Sequence, residues 1–376
     1  MMKKTGILLL ILALLSALCL PVLAAPNLSA EKSILMDADT GEVLHENQAD
    51  ERSLIASTTK IMTAIVVLER CNPDTLVTIP PEATGIEGSS LYLKAGEQLT
   101  VSDLLYGLML QSGNDAAVAL AIACGGTVEK FVQLMNEKAQ ALELADTSFA
   151  NPNGLDSEGN YSTAADMAKL TSYAMKNPKF SEIVGTKRMR VGGRTFTNHN
   201  KLLWSVEGAK GVKTGYTRAA GRILVSAAER DGRRLVVVTI NAPSDWRDHS
   251  ALYDYGFSCY EQRTALQKGQ SVAQIALGDG TTANLTCAED FSYLLTPSDR
   301  LRVEVVYPRY ALSAQAPGEP AGIGAVYLGD RCIGTVSLRW GALEDNNGTI
   351  AEDTLCARRD FAPCSGGTDK AGARTR

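Results

Sequence analysis

Ala56-Ser57-Thr58-Thr59-Lys60-Ile61-Met62-Thr63-Ala64 is the stretch on which the reading of this chain turns. Its apolar positions continue at Ile65, Val66 and Leu68, the spacing of a helix with one wide buried face. Ser57 opens that helix, and Lys60 falls on the same face one turn on. A lysine so placed can accept the serine proton once its own pKa is depressed. The helix N-terminus offers N–H groups and a positive dipole end to an oxyanion. A serine at a helix start is more often a simple cap, so the pair gains weight only from two segments downstream. These are Ser112-Gly113-Asn114 and Lys213-Thr214-Gly215.

Around these segments the chain divides by its periodicity. Ser33–Met36 and Glu42–His45 flank a turn and read as a hairpin. Thr100 with Asp103 forms an N-cap pair for a short helix to Leu110. Further helices are expected over Ala116–Ala123, Val128–Leu142, Ala164–Met175 and Ser250–Tyr255. Arg188–Val191, Ile223–Ala228 and Leu235–Ile240 read as strands, with Gly192-Gly193 and Asp231-Gly232 as turns. Strands at both ends of the first region with helices between them predict an α+β domain. Ser112-Gly113-Asn114 interrupts two helices, where Ser112 can relay a proton and the Asn114 amide can hold a substrate backbone. Lys213-Thr214-Gly215 fits an edge strand, where Lys213 and Thr214 can meet a free carboxylate and Gly215 lets a ligand lie against the backbone.

Composition limits the alternatives. The formal net charge of −5 speaks against a nucleic-acid partner. Lys3 and Lys4 precede an apolar run from Gly6 to Leu23, which reads as an export signal cleaved near Ala24 or Ala25. Loss of Cys19 with the signal leaves seven cysteines without pair spacing. Cys124 reads as core, Cys356 and Cys364 could pair, and nothing requires a disulfide. No metal-ligand spacing occurs, so no metal or cofactor is expected. His45, His199 and His249 are the only histidines, and no G-x-S-x-G accompanies a serine. The domain boundaries expected are 1–25 for the signal, 26–262 for the catalytic domain, 263–343 for a small all-β domain and 344–376 for a polar tail.

S-x-x-K, S-x-N and K-T-G in this order resemble the low-molecular-mass penicillin-binding proteins that act as serine-type D-Ala-D-Ala carboxypeptidases. The likeness runs from about Ala30 to Tyr260. It takes in Gly88-Ser89-Ser90, Asn151-Pro152-Asn153-Gly154-Leu155, Asp166-Met167-Ala168, Gly211–Gly221 and Asp254-Tyr255-Gly256-Phe257.

The resemblance implies a beta-lactamase/transpeptidase-like domain, an antiparallel sheet with helices on both faces, followed by a β-rich domain. It implies an acyl-enzyme on Ser57, with Lys60 and Ser112 as catalytic partners and Asn114, Lys213, Thr214, Gly215 and Tyr216 on the substrate. The oxyanion would sit between the N–H groups of Ser57 and Tyr216, and Arg247 or Arg218 is the candidate for the substrate carboxylate. Partners would be peptidoglycan stems ending in D-Ala-D-Ala and β-lactam antibiotics. Membrane association is left open, because the tail from Asp353 to Arg376 has no apolar face. A β-lactamase would use the same Ser57 and Lys60 but needs a deacylating Glu, and the segment Ser148–Asp166 does not resemble that loop. A non-catalytic wall-binding module would be expected to show damaged motifs, and none is damaged here.

Overall fold

The computed structural model describes residues 25–278, 282–307 and 316–344. The expected signal segment and the tail beyond residue 344 lie outside the described residues. Two compact units divide at Cys259 and Tyr260.

The first unit is α+β. Its main sheet is antiparallel and runs in the order β2 (Val43–Asn47), β1 (Lys32–Asp37), β9 (Arg233–Ile240), β8 (Gly221–Arg230), β7 (Ala209–Thr217). The chain start and the late strands therefore share one sheet: Ile34 stands opposite Val238. Strands β8 and β9 are buried along most of their length because helices cover the sheet. β7 is the outer strand, with Thr214 opposite Leu224 and Tyr216 opposite Arg222. Its far edge pairs with no strand among the described residues.

The central helix, Lys60–Arg70, is buried from Lys60 to Val67 and follows a short 3-10 turn over Ala56–Thr59. Thr100 and Asp103 make a full capping box on the helix Val101–Leu110. Helix Asn114–Gly125 follows after a break, and Gly126 ends it at φ 80°. Sequence periodicity did not signal the helix Pro178–Gly185. It buries only Phe180, Ile183 and Val184, too short a stripe to show a period, although Asn177 caps it and Pro178 stands at its first turn.

The second unit is all β within its described residues. A five-stranded antiparallel sheet has the order β11, β12, β16, β15, β14, spanning Ser271–Ala276, Thr282–Cys287, Arg331–Glu344, Pro320–Leu328 and Leu301–Val306. Leu285, Val326, Val336, Leu338 and Trp340 form its core.

The sequence leaves the pairing of the cysteines open. Cys71 and Cys124 are bonded to each other, with Cα atoms 6.2 Å apart and a sequence separation of 53. Cys71 follows the central helix, and Cys124 lies in the last turn of helix Asn114–Gly125, so the bond ties the C-terminal ends of both together. No spacing rule signals a pair this distant; only the packing of the two helices brings it together. A Cys71→Ser/Cys124→Ser variant is expected to lose about 2–4 kcal/mol of stability, because its unfolded chain regains the freedom of a long loop. Calorimetry with and without reductant checks this; identical melting of oxidised, reduced and variant protein would show that the bond adds nothing.

Candidate active site

Ser57 sits in the 3-10 turn ahead of the central helix, with Ala56 before it at φ 45°. The loop Asn151–Leu155 holds that turn in place. Gly154 has φ 85°, and a Cβ there would stand 2.0 Å from the Ala56 carbonyl oxygen. No side chain fits, so glycine lets the loop backbone press onto the turn. Asn151 braces the loop by accepting from the Gly154 N–H at 2.7 Å and donating to the Leu155 carbonyl at 2.9 Å. Thr63 Oγ1 donates to the Pro152 carbonyl at 2.6 Å.

Lys60 is fully buried, and its Nζ has three oxygen neighbours: Ser57 Oγ at 2.9 Å, Asn114 Oδ1 at 2.7 Å and the Asn153 carbonyl at 2.5 Å. The Asn114 orientation is set from its other end, where Nδ2 donates to the Glu87 carbonyl at 2.6 Å. Two of the three neighbours are thus carbonyl oxygens, which can only accept. A neutral amine gives its two N–H groups to them and turns its lone pair to the Ser57 hydroxyl. The same three oxygens would also accept from an ammonium, so it is burial that favours the neutral form.

The motif residues divide into two layers. Ser57, Ser112, Thr214, Gly215 and Tyr216 line a cleft of about 630 Å³. Lys60, Asn114 and Lys213 lie behind its wall. Ser112 is held at φ 63° and almost buried. Lys213 is buried, and its Nζ donates to the Thr214 carbonyl at 2.8 Å. A Cβ on Gly215 would come within 3.3 Å of Ser57 N, so β7 runs close beside the serine backbone. Asn114 differs from the expectation that its amide would hold substrate: both of its polar atoms are engaged inside the protein.

Several residues of the site carried no sequence signal. The Asn153 carbonyl is one. Asp115 is another: fully buried, it accepts from Ser90 Oγ at 2.6 Å and from the N–H groups of Leu91 and Leu93, and so fixes the segment that brings Ser89 to the cleft. Neither arginine proposed for a carboxylate lies on the cleft wall. Arg247 points at Asp248, 3.5 Å away, and Arg218 is exposed outside it. Arg222 lines the cleft instead, its guanidinium held by both Asp245 oxygens at 2.9 and 2.8 Å. His199 also lines the cleft.

The peptidase S11 family of D-alanyl-D-alanine carboxypeptidases matches residues 22–244. The chain is 34% identical over 280 residues to the D-alanyl-D-alanine carboxypeptidase DacF of Bacillus subtilis, covering 70% of this chain and 72% of that one. It is 35% identical over 324 residues to DacA of Escherichia coli, covering 77% and 80%. Among solved structures it is similar to penicillin binding protein 5 of Haemophilus influenzae, with a TM-score of 0.72 and 28% identity over 86% of this chain and 100% of the other. A mutant of the Streptomyces K15 DD-transpeptidase gives 37% identity and a TM-score of 0.60, over 62% of this chain and 99% of that one.

Electrostatics completes the site. Burial pushes the Lys60 pKa well below its ordinary value; the Lys213 charge lowers it further, and the Asp115 carboxylate opposes both. Burial alone brings Lys213 down to about 7. Lys213 is therefore ready to lose its proton near neutral pH, Lys60 is biased in the same direction, and the proton on one disfavours the proton on the other. Removing the Lys213 charge must raise the Lys60 pKa. In Lys213→Gln the rising limb of the pH–rate profile for acylation by labelled penicillin is expected to move to higher pH. An unmoved limb, whatever its height, would show that the two lysines do not share a field.

Proposed function

The chain belongs to the D-alanyl-D-alanine carboxypeptidase family, and from that premise we propose that Ser57 is its nucleophile and Lys60 the base that activates it. The enzyme is a serine-type D-Ala-D-Ala carboxypeptidase: it removes the terminal D-alanine from peptidoglycan stems, and it binds β-lactams at the same site. The single observation that carries the residue assignment is the set of three oxygens around Lys60 Nζ.

Ser57 passes its proton to Lys60 as Oγ adds to the carbonyl of the penultimate D-alanine. The oxyanion formed is held by the backbone N–H groups of Ser57 and Tyr216. The C–N bond then breaks. Ser112 relays the proton from Lys60 to the leaving amine, and free D-alanine departs. Water, deprotonated through the same groups, hydrolyses the ester and restores Ser57. A β-lactam follows the first half: the ring amide opens and the acyl group stays on Oγ. Thr214 and Arg222 meet the terminal carboxylate from the cleft wall, with Asp245 orienting the guanidinium. Lys213 shapes the field behind them. Gly215, with no side chain, leaves the edge of β7 open for the substrate backbone. Asn114 acts through Lys60 as a positioning residue.

Catalysis on peptidoglycan takes place outside the cytoplasm. Export by the Gly6–Leu23 segment, with cleavage near Ala24 or Ala25, supplies the route. We assign catalysis to residues 26–262 and leave the β-rich region 263–343 outside the chemistry. No single helix among the described residues is long and apolar enough to cross a membrane.

Labelled penicillin is expected to attach to the wild type and not to Ser57→Ala. Lys60→Arg keeps the charge but cannot release a proton, so its acylation should fall by orders of magnitude, nearly as far as in Lys60→Ala. Folded Lys60→Arg that acylates within a few-fold of wild type would reduce Lys60 to a fixed charge and require another base.

A further inference from the structure

A positive surface adjoins the cleft of this acidic protein. Between Glu182 and Glu207 the sequence has Lys187, Arg188, Arg190, Arg194 and Lys201 and no acidic residue. Only Arg194 of these is ion-paired among the described residues, with Glu97. The other four are exposed.

Backbone geometry gathers them. Strands β5 (Arg188–Val191) and β6 (Arg194–Thr197) form a hairpin that sets Arg188 opposite Thr197 and Arg190 opposite Thr195. Val191 and Phe196 are buried, so the alternate positions Arg188 and Arg190 face outward with the two threonines. Thr197 lines the cleft, as do Lys201 and Trp204. The Asn198 N–H donates to the Lys187 carbonyl at 2.9 Å, and Lys187 Nζ stands 5.8 Å from the Trp204 ring centre. Exposed cations therefore stand on the outer face of the hairpin, beside Trp204 at the cleft wall and, as Lys201, on the wall itself. The terminal dipeptide occupies the catalytic end and has one carboxylate, for which Arg222 and Thr214 are already available. Four further exposed cations without acidic partners fit a ligand with more negative charge than that dipeptide has.

We propose that this surface binds the carboxylates of the stem peptide upstream of its D-Ala-D-Ala end, and so favours stems whose side and α-carboxylates are free over stems in which they are amidated. The proposal rests on the carboxypeptidase reading of the site. Unpaired surface cations act over about 10 Å at moderate ionic strength and raise the encounter rate with an anionic ligand. The gain is in kcat/KM for the charged stem, and salt reduces it.

The experiment compares purified full-length wild type with Arg188→Gln/Arg190→Gln on two soluble pentapeptide stems, one with free upstream carboxylates and one amidated, at low and high salt. D-alanine release gives kcat/KM, and labelled penicillin gives the acylation rate. Wild type is expected to prefer the free-acid stem by about tenfold at low salt. The variant should lose most of that preference while acylating with penicillin at the wild-type rate. Equal kcat/KM for the two stems in wild type, or an undiminished preference in the variant, overturns the proposal. Loss of penicillin acylation in wild type would instead count against the carboxypeptidase reading itself.

Discussion

Everything in the catalytic unit converges on one contact set: a buried lysine amine between two carbonyl oxygens and a serine hydroxyl. An ammonium ion in that place has no carboxylate directly against it and little solvent, so its charged form is costly. A neutral amine donates its two N–H groups to the two carbonyl oxygens and leaves its lone pair for the hydroxyl. The constraint is local, but it requires support from three parts of the chain. The central helix supplies Lys60, the start of helix Asn114–Gly125 supplies one carbonyl, and the loop Asn151–Leu155 supplies the other.

The surrounding fold can be read as the means of holding those parts. The two helices meet through Lys60 and Asn114 near their N-terminal ends and are tied near their C-terminal ends by Cys71–Cys124. Gly154 allows the loop to approach closely enough for the Asn153 carbonyl to reach the amine. Asp115, beside Asn114, uses its buried carboxylate to organise the segment that borders the cleft. The outer strand β7 carries Lys213 behind the wall and Thr214 on it. Side chains alternate along a strand, which puts Lys213 on the amine's side of the wall and Thr214 on the cleft side.

Much of this was legible in the sequence because it depends on short spacings. Ser57 and Lys60 are three apart on one helix, Thr100 and Asp103 form a cap three apart, and Lys213-Thr214-Gly215 has the composition of an open edge. What stayed hidden depends on distance or on the backbone. The Asn153 carbonyl has no residue signature, since every residue has a carbonyl. Asp115 reads as a polar residue at a helix start, and only the packed structure shows how many donors it gathers. Arg222 carries no sequence signal that sets it above Arg247 or Arg218, because its place is set by the pairing of β8 with β7, opposite Tyr216, and register is a tertiary property. The second unit showed only some of its strands in sequence, because short strands with mixed exposure barely depart from loop composition.

The protonation state of Lys60 in the resting enzyme is the quantity on which this account depends. It can be measured directly by following the side-chain carbon and nitrogen resonances of isotope-labelled lysine through a pH titration. Lys60→Arg identifies the signal by its loss. The Lys60 signal is expected to titrate well below the ordinary lysine value of about 10.4. A Lys60 amine that stays protonated up to that ordinary value would contradict the assignment of Lys60 as the base.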